Sequence, residues 1–501
     1  MIASYKKLGV WLLPVVIIIF SFLVLIVSSD YLNRIKPGLL FVLGIGALVA
    51  FFLSLRPVIL LWFTTIMALF ASGLVRLFFP DFSAIWWVVY GSSLLMYLVA
   101  VINSIKVGHS EKLYSTTMQS FAVGSFIVLS FISSAYSFSS IGQLVVAIKS
   151  LFLMGGVWAL LNTVQFNDKT IRVWLRGALV ISLVQWIPVI YQYVFVRSYR
   201  IEKGFGTVSA ADSVVGTFGG SMESGGLTAV LAFFLVSTIL FILSYNKESI
   251  LSGKKFYISL LLVSFPLLLM EVKVIFFYIP LGLLILYRKE IIRKPMFAIS
   301  FFTISTVVII GILASYQALH WSGKSDDFSS NLDNLFGYSF ESDAGYMSSQ
   351  LGILTRRGAV EYWWKQHENS GIGTMLVGHG LGSGRTSGRV LGVMAHTHSP
   401  KIIDRTGLTL MLWEVGILGV VLLLWILLSI QMTITKIVNS GLCLPESIAI
   451  ANGLSAVIPL FVLSFLYRND IPYAAPMMFL LMSCFGLVSW LNKSQKKGLQ
   501  I

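Results

Sequence analysis

The run from Gly378 to Arg405, GHGLGSGRTSGRVLGVMAHTHSPKIIDR, gathers residue types that the chain uses sparingly elsewhere. Glycine alternates at Gly378, Gly380 and Gly382. The cations Arg385, Arg389, Lys401 and Arg405 accompany the histidines His379, His396 and His398. Three chemistries can be weighed. As a dinucleotide fingerprint the glycines fail, because the last falls off register at Gly384 and no strand–helix–strand context surrounds them. As a metal site, His396 and His398 lack a third ligand at a recognisable spacing, so no metal is expected. The third is group transfer to a hydroxyl beside an anionic ligand. Glycine turns bring backbone N–H groups close to an anion, guanidinium groups match phosphate oxygens, and a neutral imidazole takes a proton from the hydroxyl. His396 and His398 are the candidate bases. His379 and His367 are weaker, because a lone histidine is more often simply hydrogen-bonded.

The elements that must position this stretch are membrane helices. The 501 residues are 57% hydrophobic and 11% charged, too little charge to cover a soluble protein of this length. Apolar runs of ~20 residues recur from end to end, and in lipid such runs must be helical. The expected fold is therefore all-α: a polytopic integral membrane protein forming one domain over residues 1–501. About fourteen spans are expected, at roughly 8–28, 37–54, 58–75, 84–103, 118–136, 141–165, 174–196, 224–245, 256–270, 274–287, 296–318, 407–430, 448–467 and 473–490. The first is read as a retained helix and not a cleaved signal. Cys443 and Cys484 suggest neither a disulfide framework nor a metal cluster.

Lysine and arginine favour cytoplasmic loops. Lys6 and Lys7, Arg56, Lys106 and Lys112, Lys169 to Arg176, Lys247 to Lys255, Arg288 to Lys294, Lys436, and Lys493 to Lys497 all fall on one side of a single frame. Both termini are then cytoplasmic, and the segment between about 319 and 406 is a large extracytoplasmic loop. ATP- and NAD-dependent chemistry is excluded there, because those pools are cytosolic. The formal charge of +15 does not indicate nucleic acid, because most cations serve topology. The cations on the outer side need another reason: Arg197, Arg200 and Lys203, Lys273, Arg356 and Arg357, Arg385, Arg389, Lys401, Arg405 and Arg468. A polyanionic ligand is one and anionic-lipid contact is another. Lys273, between apolar flanks, is either functional or paired with Glu271. Arg357 and Glu361 are spaced to pair on a helix surface. Trp363 and Trp364 suit the membrane interface.

With these residues in view, the chain resembles the O-antigen ligase superfamily, which includes the polymerases of lipid-linked polysaccharide repeats. GTFGGSMESGGLTAVLAFFLV from Gly216 looks like the family's outer loop entering a helix, with Ser221, Met222 and Glu223 where asparagine–proline is usual. LLMEVKVIFFYIPLG looks like its basic turn, with Lys273 in the basic place. RRGAVEYWW followed by LVGHGLGSG looks like its arginine–tryptophan helix and glycine loop. LTLMLWEVGILGVVLLL looks like its next helix, with Glu414 and Gly416 in E-x-G-x-x-G. The likeness spans about residues 200–430. The family's His-Asn position falls near Asp404 and Arg405, with His396 and His398 several residues earlier.

The resemblance implies a bacterial inner-membrane glycosyltransferase that needs no cofactor. Its donor would be a glycan on polyprenyl pyrophosphate, its second substrate a glycan acceptor and its medium the lipid bilayer. Chain-length regulators or export proteins are the implied protein partners. Arg197, Arg200, Lys273, Arg357, Arg385 and Arg405 would bind the pyrophosphate, and Gly378, Gly380 and Gly382 would form the substrate loop. The divergent large loop and Lys273 favour a polymerase of O-antigen or exopolysaccharide over a ligase acting on the lipid A core. A lipid-linked-glycan flippase is the competing class, but the chain shows no internal repeat and crowds its polar residues into one asymmetric loop. Nothing specific speaks for a membrane scaffold.

Overall fold

A computed structural model describes residues 46, 48–80, 82, 85–107, 117–204, 213–219, 227–270, 272–321, 354–368, 371–386, 391–440 and 444–498. These residues form helices and connecting turns, with no strand among them. Among the described residues, nine helices are long and apolar enough to cross a membrane, or ten if one bent pair counts as a span. They are α1 (Pro57–Phe78), α2 (Ile85–Val107), α3 (Thr117–Tyr136), the pair α4 (Ile141–Leu151) and α5 (Gly155–Thr163), α6 (Asp168–Glu202), α7 (Thr228–Lys247), then α10 (Pro295–Leu319), α14 (Gly407–Asn439), α15 (Pro445–Tyr467) and α16 (Ala475–Gly498). Between α7 and α10 lie two shorter apolar helices, α8 (Gly253–Leu269) and α9 (Ile275–Leu286), joined by the turn that carries Lys273. Short helices α11 (Arg356–Glu368), α12 (Ile372–Val377) and α13 (Val393–Thr397) precede α14. The protein is thus a helical, multi-pass membrane protein. The expected spans at 8–28 and, for the most part, 37–54 lie outside the described residues.

Helix starts follow local chemistry. Pro57, Pro295 and Pro445 open α1, α10 and α15, where the missing N–H costs nothing. Thr406 and Thr409 form a reciprocal cap at the start of α14. The core is built on α7, α15 and α16, which pack on one another and are largely buried. By contrast, only 6% of the apolar window of α10 is buried, which suits a lipid-facing position.

The polar groups at the two helix ends stay separate. At one end Arg172 and Arg176 meet Glu446, Lys247 meets Glu290 at 2.6 Å, and Lys289 reaches Asn439. At the other, Arg197 donates to the Leu319 carbonyl, Arg356 to that of Tyr467, and Arg468 pairs with Asp470. Each contact joins segments that the charge frame puts on the same side.

Among the described residues, two irregular segments are buried and paired by side chains, as backbone away from water requires. One is Ser213–Gly219. Gln192 accepts from the Val215 and Gly216 amides and donates to the Gly216 carbonyl. Gln185, seven residues earlier on the same face of α6, accepts from the Thr217 amide and donates to its hydroxyl. Thr217 then donates to the Leu69 carbonyl of α1. The other is the glycine loop.

Candidate functional site

As a straight rod, α14 would be ~50 Å long, well beyond the ~30 Å apolar core of a bilayer. It is broken at Gly416, whose φ of 65° leaves the helical region. The break frees the carbonyls of the preceding turn, and the glycine loop takes them up. The His379 amide donates to the Trp413 carbonyl at 2.8 Å and the Gly380 amide to that of Glu414 at 3.0 Å. Ser133 of α3 donates to the same Glu414 carbonyl and accepts from the Gly380 amide, while Ser134 accepts from that of Leu381. Gly378, Gly380 and Gly382 have φ values of 81°, 87° and 82°. A Cβ on Gly378 would lie 2.6 Å from the Glu414 carbonyl and the Gly416 nitrogen. The alternating glycines therefore let the loop lie against the broken helix.

The loop ends in a buried ion pair. Arg385 Nε is 3.0 Å from Glu414 Oε1, and Arg385 Nη1 donates to Ser150 of α4 at 2.6 Å. The Arg385 guanidinium also lies over the Tyr473 ring. Asp404 is buried beside it and accepts from the Thr386 amide and hydroxyl and from the Tyr473 hydroxyl. Lys149, one residue before Ser150, lies 4.4 Å from the Trp87 ring centroid and 5.2 Å from that of Tyr90.

Three histidines converge on the Trp413 ring, with centroid distances of 5.0 Å for His367, 5.7 Å for His379 and 4.9 Å for His398. Their partners fix two tautomers. His367 Nδ1 is 2.8 Å from the Trp363 carbonyl, which only accepts, so Nδ1 carries the hydrogen and Nε2 is bare in the neutral ring. His379 Nε2, at 2.9 Å from His367 Nε2, must then donate, leaving His379 Nδ1 as an acceptor. With their Nε2 atoms committed to each other, neither His367 nor His379 offers that atom to a metal. Burial pushes His379 down to about 4, helped by the neighbouring His367 and His398 rings. Burial also lowers His398, followed by the charges of His367 and Lys401. These imidazoles are neutral at neutral pH.

His398 is half-buried, with Nδ1 2.9 Å from the Tyr362 hydroxyl, and Lys401 Nζ lies 4.1 Å from the Tyr362 ring centroid. For His398 Nε2 to accept a proton, Nδ1 must hold the hydrogen and donate to the tyrosine oxygen. His396, two residues earlier, is exposed. A cavity of about 320 Å³ opens beside His379, lined also by Tyr136, Ser139, Gln143, Thr374 and Met394. Among the described residues, Ser139 Oγ and Gln143 Oε1 are buried in its wall without a hydrogen-bond partner, and so are the indole N–H groups of Trp363 and Trp413 nearby. Buried polar atoms in this state are rare.

The remaining candidates lie on other elements. Arg197 and Arg200 are on the last turns of α6, Arg200 fully buried, and Arg197 lies over the Tyr193 ring. Lys273 is half-buried in the α8–α9 turn; Glu271, its expected partner, is outside the described residues, as are Arg389 and Ser221 to Glu223. Arg357 pairs with Glu361 at 2.6 Å on the exposed face of α11. Arg405 is half-buried just before α14. Trp363 departs from the interfacial position expected of it: it is buried and stacked on His367, while Trp364 is exposed. Sequence reasoning passed over Trp413, Tyr362, Ser139 and Gln143. Only Trp413 had a signal, its place directly before Glu414. Compared with known proteins, the chain matches no protein-family model and no curated protein.

Proposed function

We propose that the chain polymerises polyprenyl-pyrophosphate-linked oligosaccharide repeats into a surface polysaccharide. In this reading it crosses the bacterial inner membrane about fourteen times, with residues 319–406 outside and both termini cytoplasmic. The observation that carries it is the cavity beside His379, lined by Tyr136, Ser137, Ser139, Gln143 and Thr374, with the Trp413–histidine cluster next to it. The Tyr136 ring and the His379 imidazole beside hydroxyl and amide side chains suit a sugar.

The acceptor hydroxyl attacks the anomeric carbon of the donor. The new carbon–oxygen bond forms as the bond to phosphate breaks, and the pyrophosphate leaves with the electron pair. His398 takes the hydroxyl proton on Nε2, its ring held by Tyr362. Arg197, Arg200 and Lys273 supply positive charge to the leaving group, with Arg357 and Arg405 at the rim. Arg385, committed to Glu414, positions the glycine loop. The lipid tail lies between helices.

A ligase would use the same step with a lipid A core as acceptor. Deleting the protein distinguishes the readings. Single lipid-linked repeats accumulating on the outer face indicate a polymerase. Long lipid-linked polymer left untransferred indicates a ligase, and repeats trapped inside indicate a flippase. Full polymer synthesis by both Arg357→Ala and Lys273→Ala would remove those two cations from the mechanism.

A further inference from the structure

A cavity of about 450 Å³ lies away from the histidine cluster and is independent of the glycosyl-transfer reading. It runs among α1, α6, α7, α15 and α16. One end is closed by aromatic rings, with Phe233 and Phe461 at a centroid distance of 4.4 Å and Phe479 beside them. The other end is bordered by Tyr245, Arg176 and Lys255, at the ends of helices opposite to the glycine loop. Phe233 and Tyr245 are twelve residues apart on α7, ~18 Å along its axis, close to half of the ~30 Å bilayer core. The wall is predominantly apolar, which disfavours water. Small residues, Ala178, Ser237 and Ser483, keep it open at mid-depth.

The basic end has charge to spare. Glu446 is held by Arg172, and Arg176 lies 3.5 Å from its other oxygen with 68% of the side chain exposed. Lys255 is also exposed. Two cations at the mouth of an apolar, chain-length cavity form a complement to one molecule: an alkyl chain inside and a phosphate outside.

We propose that this cavity holds one chain of an anionic glycerophospholipid from the leaflet facing Arg176 and Lys255, with the phosphate between these two side chains. Native mass spectrometry of the full, delipidated chain titrated with phosphatidylglycerol or phosphatidylcholine of equal chain length tests it. Wild type should retain one phosphatidylglycerol in preference to phosphatidylcholine by roughly thirtyfold for two interfacial cations. Arg176→Gln with Lys255→Gln should bring the two lipids level without changing the melting temperature. Ser237→Phe, which fills the cavity, should lose both. If Ser237→Phe does not fold, the surface pair decides alone. Equal retention of both lipids by wild type, or a preference that survives the double substitution, overturns the proposal. Displacement of phosphatidylglycerol by equimolar undecaprenyl phosphate also overturns it, assigning the cavity to a carrier lipid.

Discussion

His396 and His398 stand two positions apart and differ in burial and in contacts. One is exposed; the other is half-buried against Tyr362 and Trp413. His398→Ala should lower turnover by about 10²–10⁴-fold, the usual worth of a positioned base, while His396→Ala keeps most of it. Polymer yield on lipid-linked repeats measures both. Because burial holds His398 below its ordinary value, activity should be flat from pH 8 to 7 and fall only below pH ~6.5. A midpoint above pH 7 would point to another base. His379 gives a stability counterpart. Its folded value, about 4, lies below the unfolded one of about 6.5, so the unfolded chain takes up a proton first as pH falls. Protection of the glycine-loop amides from hydrogen exchange should therefore weaken between about pH 6.5 and 4. The histidine pair was legible as a pair, because H-x-H between cations is visible. Which member turns inward was not: two positions on a helical turn differ by ~200°, and the direction depends on Tyr362, thirty-six residues earlier.

The glycine loop and α14 make one unit, since each supplies hydrogen bonds that the other lacks. Gly378→Ala should disrupt it, because its Cβ meets the Glu414 carbonyl and its φ is left-handed. The penalty is at least the ~1–2 kcal/mol of that conformation, read as a lower melting temperature. Glu414→Gln leaves Arg385 charged and buried, a loss of about 3–5 kcal/mol. Replacing both Arg385 and Glu414 by methionine should recover much of it, and failure to recover would give the pair a role beyond packing. The alternating glycines announced an unusual backbone. The sequence did not reveal what they approach, because the break at Gly416 lies inside an apolar run that reads as an unbroken helix. For the same reason the buried path of Ser213–Gly219 was hidden. It depends on Gln185 and Gln192, which look like ordinary polar residues in a span until the loop they bind is folded against them.

Across the whole molecule, hydropathy located the described spans closely, because a bilayer imposes length and helicity on any crossing segment. It was least informative at α8 and α9, where two short apolar helices flank one basic turn. Sidedness rests on charge alone. In a Cys443→Ser, Cys484→Ser background, Ile372→Cys should react with an impermeant maleimide added to intact cells, and Ile292→Cys should react only after the cells are opened. The catalytic proposal is tested most directly by incubating the purified, reconstituted chain with a polyprenyl-pyrophosphate-linked repeat and resolving the products by size. A ladder of lipid-linked polymer from wild type, absent with His398→Ala and retained with His396→Ala, is the predicted result. No ladder from folded wild type with the repeat of its own host, or a ladder unchanged by His398→Ala, would contradict it.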